Sequence, residues 1–152
     1  MKRQPNSRLC FVCGMENPIG LKVIFEEEDK RVWAKFTPRE EHQGFPGILH
    51  GGLTGALLDE AMGRCLMVGG EERWMVSARL EVRYKKPIPI GEPLTVRGEV
   101  VQDRGRLIET RGEIRLKDGS LAAEAKGTYM RVPQEMRERM EREPGDWQVW
   151  VV

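Results

Sequence analysis

The sequence predicts an α+β domain in which one long apolar helix is wrapped by a curved antiparallel sheet of about five to six strands. Three observations carry this. A single run, residues 50–68, keeps an apolar face at helical spacing without a proline and stops at Gly69-Gly70. The remaining patterned segments alternate apolar and polar residues, with turn chemistry between them. The later strands also carry Gly98, Gly112, Ala123, Ala125 and Gly127 in their inward registers, where small residues let a sheet curve and a helix come close.

The elements follow in order. Residues 1–20 are a polar, turn-rich lead-in containing a Cys-Phe-Val-Cys pair at Cys10 and Cys13. Residues 21–27 and 31–36 are expected to form a hairpin through Glu28-Asp29-Lys30. Residues 37–49 hold two prolines and two glycines and read as a long loop of the kind that carries function. The helix comes next, then strands at 75–84, 94–101, 107–116 and 121–130, broken at 87–93, 103–105 and 117–119. Strict alternation in 75–84 puts Val76, Ala78, Leu80, Val82 and Tyr84 on one face and Ser77, Arg79, Glu81 and Arg83 on the other. Residues 133–143 are charged and helix-prone, and the apolar end, Trp147-Gln148-Val149-Trp150-Val151-Val152, is expected to dock on the domain or on a second subunit. The domain proper is therefore 21–132, with the tail at 133–152.

Composition narrows the function. The 152 residues suit one domain with a sizeable core. A net charge of +1, from 25 basic and 24 acidic residues, gives no global attraction to nucleic acid or to a membrane surface. No run approaches the ~20 apolar residues of a membrane span. The first residues lack the apolar core of a signal peptide, so a cytoplasmic protein is expected. Three cysteines are too few for a disulfide framework. Cys10 and Cys13 look like half of a zinc site, but a structural site wants four ligands. Packing of the pair as small hydrophobes against the first strand is the expectation, a half-site shared across subunits the alternative, and no metal is assigned.

The chemistry concentrates in residues 47–60, where His50-Gly51-Gly52 opens the helix and Asp59-Glu60 follows two turns later. A helix start offers unpaired backbone N–H groups suited to a developing oxyanion, and glycine lets a carbonyl approach them. At about 100° per residue, Asp59 shares its side with Gly52, Gly55, Ala56 and Gly63, a strip without bulk, whereas Glu60 shares its side with Leu53, Leu57 and Arg64. Glu60 thus has an i,i+4 ion pair to make. Asp59 overlooks a path for a thin ligand and is the better candidate for chemistry, with pairing to a neighbouring strand as the alternative. His50 suits an N-cap or loop-fixing hydrogen bond better than a general base. Gly51 is the stronger catalytic candidate, through its N–H. Gln43, or His42 beside it, is placed to bind a carbonyl or a water, or is an ordinary loop residue. Ser77 lies on the charged face of its strand and reaches a buried site only through a bulge or a partner subunit. Arg79, Arg83, Lys85, Lys86 and Arg131 suit either a phosphate-bearing ligand at a subunit edge or a solvated sheet face.

One helix wrapped by one sheet is the layout of a hot-dog fold, and the residues carry a resemblance within it. Cys10-Phe11-Val12-Cys13-Gly14, Asn17-Pro18-Ile19-Gly20-Leu21 and above all His50-Gly51-Gly52 with Asp59 resemble the PaaI-type branch of the hot-dog thioesterases, which hydrolyse acyl-coenzyme A. The resemblance implies that the Gly51 N–H polarises the thioester carbonyl, that Asp59 is base or nucleophile, and that Ser77 assists water. Gly44 stands where the family often has Asn. It further implies a homodimer, commonly paired into a dimer-of-dimers tetramer, with glycine and carboxylate of one site coming from different chains. His50, Gly52, Gln43, Arg83 and Lys85 complete the expected site. The substrate is an acyl-CoA, and no cofactor, metal, nucleic acid or membrane is expected. A non-catalytic acyl-CoA sensing module on the same fold is the alternative.

Overall fold

The computed structural model describes residues 2–70, 75–141 and 147–148. In chain order its elements are β1 (Lys2–Arg3), β2 (Asn6–Ser7), β3 (Glu26–Glu28), β4 (Arg31–Phe36), a 3-10 turn (Glu40–His42), α1 (Gly51–Arg64), a second 3-10 stretch (Cys65–Gly70), β5 (Met75–Tyr84), β6 (Leu94–Asp103), β7 (Leu107–Arg115), β8 (Leu121–Arg131), α2 (Gln134–Glu141) and β9 (Trp147–Gln148). Seven strands form one antiparallel sheet in the order β1-β3-β4-β6-β7-β8-β5. The hot-dog layout is therefore correct and the strand count is one above the upper expectation, because Lys2–Arg3 pairs with β3. A separate two-stranded pairing joins β2 to β9, tying Trp147–Gln148 of the tail to the lead-in. The rest of the apolar end, residues 149–152, lies outside the described residues.

The expected first hairpin is shorter than its alternation suggests. Asp29 and Lys30 both take positive φ, 50° and 64°, the geometry of a tight two-residue turn. Ladder pairing then runs only from Glu28↔Arg31 to Glu26↔Trp33. Upstream, Lys22 at φ 56° breaks the extended run. Leu21 and Val23 are buried, but their N–H groups bond Phe11 and Val12 of the lead-in, at 2.8 and 2.9 Å.

Helix α1 begins one residue later than expected and keeps α geometry to Arg64, before the 3-10 stretch. Val68 is extended and Gly69 takes φ 81°, so the chain turns where the glycine pair predicted. Leu57, Leu58, Ala61 and Met62 are fully buried against a sheet face that includes Val32, Ala34, Val96, Ile108 and Ile114. Burying each large apolar side chain contributes on the order of 1.5–3 kcal/mol. Close approach depends on glycine in β6: a Cβ at Gly98 would sit 2.5 Å from the Ala61 carbonyl oxygen.

Strand β5 departs from strict alternation in a way that decides the site. Its register against β8 shifts between Ser77 and Arg79, a β-bulge. Ser77 then faces Tyr129 while Leu80, Val82 and Tyr84 face Gly127, Ala125 and Ala123. The bulge flips the three residues before it, so Ser77 joins the inner face of Leu80, Val82 and Tyr84, and Val76 leaves it. β5 is also an edge of the sheet, paired on one side alone. Among the described residues, no helix is long and apolar enough to cross a membrane.

Candidate active site

The chemistry-bearing residues gather at two stations along α1. The first is its N-terminus, where the preceding loop is tied down by backbone bonds: Leu49 N–H to Ile88 O at 2.8 Å, Ile90 N–H to Gly47 O at 2.9 Å, and His50 N–H to His42 O at 2.9 Å. His42 is buried, stacks 5.5 Å from the Phe36 ring, and accepts the Arg39 N–H on Nδ1 at 3.0 Å. Burial, reinforced by the Arg39 charge, holds its pKa below the ordinary histidine value.

His50 caps the helix, its Nδ1 accepting the Gly52 N–H at 2.9 Å. That bond uses the Gly52 donor, so what Gly52 offers a ligand is the absence of a side chain. The Gly51 N–H has no acceptor among the described residues, while Tyr84 Oη donates to the Gly51 carbonyl at 2.7 Å. A cleft of about 780 Å³ opens here, with Gln43, His50, Gly51, Tyr84, Lys85 and Lys86 in its wall. Gln43 spends its side-chain oxygen on the Gly47 N–H, at 3.1 Å. Lys85 lines the cleft but turns its ammonium to Glu124, 3.6 Å away.

The second station is Asp59, half-buried in the middle of the helix. Its Oδ1 accepts from Ser77 Oγ at 2.8 Å and from Tyr129 Oη at 2.8 Å, and Tyr129 also reaches the Asp59 carbonyl at 2.9 Å. Burial and the facing carboxylate drive the Tyr129 pKa well above the ordinary phenol value, so its hydroxyl stays a donor. The neighbouring acid is engaged elsewhere: Glu60 Oε1 meets Arg64 Nε at 2.9 Å. Gly55, on the Asp59 side, has nothing within 4 Å of where a Cβ would stand.

The structure thus brings Ser77 to Asp59, and Gln43, His50, Gly52 and Lys85 to Gly51. It does not bring Arg83 to either station. Arg83 stands on the outer face of β5, 3.7 Å from Glu81, in a broad charged groove with Arg97, Arg111 and Glu113. Arg79 also pairs with Glu81, at 3.7 Å. Sequence reasoning passed over Tyr129. The available signal was a lone tyrosine in a strand whose other inward positions are alanine and glycine, since a buried phenol needs a partner for its hydroxyl.

The stations are also too far apart to share one carbonyl within a chain. Eight residues separate Gly51 from Asp59, and at 1.5 Å rise per residue that is about 12 Å along the axis. A small reacting group can touch both only if one is supplied by a second copy.

Comparison with known proteins places this geometry. The acyl-coenzyme A thioesterase THEM4 of Bos taurus is 30% identical over 128 residues, covering 82% of this chain and 52% of that protein. The chain spans about half the length of that relative or less of its rat and frog counterparts. Among solved structures, a thioesterase superfamily protein aligns with a TM-score of 0.75 and 35% identity, over 81% of this chain and 60% of that one. A hypothetical thioesterase protein of Streptococcus pneumoniae, crystallised with coenzyme A, aligns with a TM-score of 0.66 at 21% identity, over 72% of this chain and 85% of that one, a likeness of fold. The family model of the thioesterase superfamily matches residues 46–123, a span that holds Gly51, Asp59 and Ser77 and ends at Ala123 of β8, and the chain belongs to the thioesterase superfamily.

Proposed function

We propose that the protein hydrolyses an acyl-coenzyme A thioester to the free acid and coenzyme A, at a site built from Asp59 of one chain and Gly51 of another. One observation carries this reading: a helix carboxylate with one oxygen fixed by two hydroxyl donors, Ser77 and Tyr129. Those donors orient Asp59 and leave Oδ2 to act. A carboxylate takes a proton or attacks a carbonyl through an oxygen that no donor occupies.

As base, Asp59 takes a proton from water as the water oxygen adds to the thioester carbon. As nucleophile, it adds directly and gives an acyl anhydride that water then opens. In both routes the carbonyl oxygen gains charge against the Gly51 N–H, and the C–S bond breaks as that charge returns. The backbone donor contributes on the order of 3 kcal/mol to this step, as oxyanion donors do elsewhere. Ser77 holds the attacking water or the carboxylate, and His50 fixes the turn that aims Gly51.

The separation of the two stations supports a dimer. So does β5, a ten-residue edge strand with Leu80 and Tyr84 exposed beside the site, a surface that invites a second copy. The bovine relative's name specifies acyl-coenzyme A, which supports the substrate class. The test is thiol release from short, medium, long and aromatic acyl-CoAs, with Asp59→Asn beside the wild type. Turnover by the wild type and its loss in the variant are expected. Tight acyl-CoA binding without turnover by the wild type would replace the enzyme with a sensing module on the same fold.

A further inference from the structure

About 100° round α1 from Asp59, the helix meets the cysteine pair of the lead-in, and we propose that Cys10, Cys13 and Glu60 form a zinc-type metal site that clips the lead-in to the helix. The two sulfurs and a Glu60 carboxylate oxygen lie within 4.8 Å of one another. Cys10 Sγ is 3.7 Å from Glu60 Oε2. Tetrahedral zinc, with bonds of about 2.3 Å to sulfur and 2.0–2.2 Å to oxygen, needs its ligands roughly 3.5–3.8 Å apart. A small inward adjustment reaches that geometry.

The turn that presents the sulfurs is built for close packing. Gly14 N–H closes on Cys10 O at 2.8 Å. A Cβ at Gly14 would lie 2.5 Å from Cys10 O and 2.6 Å from Cys10 N, so only glycine fits after the second cysteine. Asn6 Nδ2 pins the Cys13 carbonyl at 2.6 Å. Both cysteines are free thiols.

The carboxylate is aimed as well. Arg64, 2% exposed, holds Glu60 Oε1, donates Nη1 to Pro5 O at 2.7 Å, and rests over the Phe25 ring at 4.9 Å. A fixed guanidinium on one oxygen turns the other toward the sulfurs, the arrangement that orients metal ligands from outside the coordination sphere. Two thiolates and a carboxylate balance one divalent ion plus the Arg64 charge. Sulfur donors select zinc or cobalt over magnesium or calcium. Cys13 is fully buried while Cys10 and Glu60 are half-buried, which leaves the fourth position to water from the open side. The sequence showed only two ligands because the third comes from a helix 47 residues after Cys13.

The test strips the purified protein with a chelator, keeps thiols reduced with a phosphine, and titrates cobalt(II). A thiolate-to-cobalt charge-transfer band that saturates at one equivalent per chain and is displaced by zinc is expected. Cys10→Ser and Cys13→Ser should remove it, Glu60→Gln should weaken cobalt binding at least ~10-fold and alter the visible bands, and Cys65→Ser should change nothing. Chelation should lower the melting temperature of the wild type and not that of Cys10→Ser. Circular dichroism establishes that each variant is folded, and Cys10→Ser carries the test if the buried Cys13 variant is not. Absence of a band in the folded, reduced wild type, a band that survives in Cys10→Ser, or unaltered affinity in Glu60→Gln each overturns the site. So does a Cys10–Cys13 disulfide that, once reduced, gives no band.

Discussion

Asp59 and Glu60 are adjacent acids on one helix, and their surroundings are opposite. Asp59 faces the concave sheet, where Ser77 and Tyr129 offer neutral hydroxyls and Gly55 leaves space. Glu60 faces the lead-in, where a buried guanidinium and two thiols close around it. The first environment orients a carboxylate without neutralising it, and the second consumes the charge in an ion pair. A rotation of about 100° between neighbours on a helix separates an acid held by hydroxyls from one held by an ion pair. Hydroxyl donors leave a carboxylate able to attack or take a proton, whereas a salt-bridged partner holds it as an anchor.

Exchanging either carboxylate for its amide probes that contrast. Asp59→Asn keeps an oxygen for both hydroxyls and removes the base, so kcat for thioester hydrolysis should fall by roughly 10³-fold or more with the melting temperature little changed. Steady-state kinetics and thermal denaturation on one preparation check this, and near-wild-type turnover would erase the contrast. Glu60→Gln should show the reverse pattern. It leaves the Arg64 charge buried without its anion, at a stability cost of about 2–4 kcal/mol measured by denaturant unfolding, while kcat falls far less than in Asp59→Asn.

Smaller effects sharpen the Asp59 side. Tyr129→Phe removes a buried donor to Asp59 and should lower kcat by about 10- to 30-fold with KM nearly constant, because the tyrosine acts through the carboxylate. Ser77→Ala removes the more exposed donor and should cost nearer ~10-fold. Both hydroxyls serve one oxygen, so the double variant should depart from the product of the single effects. Simple multiplication would mean that the two hydroxyls act independently of each other.

Much of the fold was legible because the periods of helix and strand differ and glycine marks close approach. Gly98, Gly112 and Gly127, picked out as small inward residues, all lie against α1 or its side chains. His50 was readable as a cap because its position relative to the first apolar turn is a local property. The lead-in strand at Lys2–Arg3 was not readable, since two polar residues carry no alternation and their partners, Glu27 and Glu26, are 25 and 23 residues away. Ser77 shows the limit most clearly. Strict alternation put it on the charged face, and the bulge that turns it inward has no mark in its own residues: no glycine stands between Val76 and Arg79. Tyr129 and the Glu60–cysteine contact likewise depend on long-range placement that a one-dimensional pattern does not contain.

The smallest predicted effect concerns the loop that sets the Gly51 station. In the fold His42 accepts the Arg39 N–H on Nδ1, and its carbonyl accepts the His50 N–H. Protonation removes the acceptor and places a charge against the Phe36 ring and beside Arg39. The folded pKa lies below the ordinary value of 6.5, so just below pH 6.5 the unfolded chain binds more protons than the folded one. Stability is then full above pH 6.5 and declines as pH falls through the folded pKa. Melting temperatures across this window should slope downward toward acid for the wild type and lie flatter for His42→Asn, whose side-chain oxygen can take over the Arg39 N–H. His50 is present in both proteins, so the difference between the two curves isolates His42. Parallel curves would mean that the loop is held by its backbone bonds alone, and that the Gly51 station depends on the turn itself rather than on the protonation of the histidine behind it.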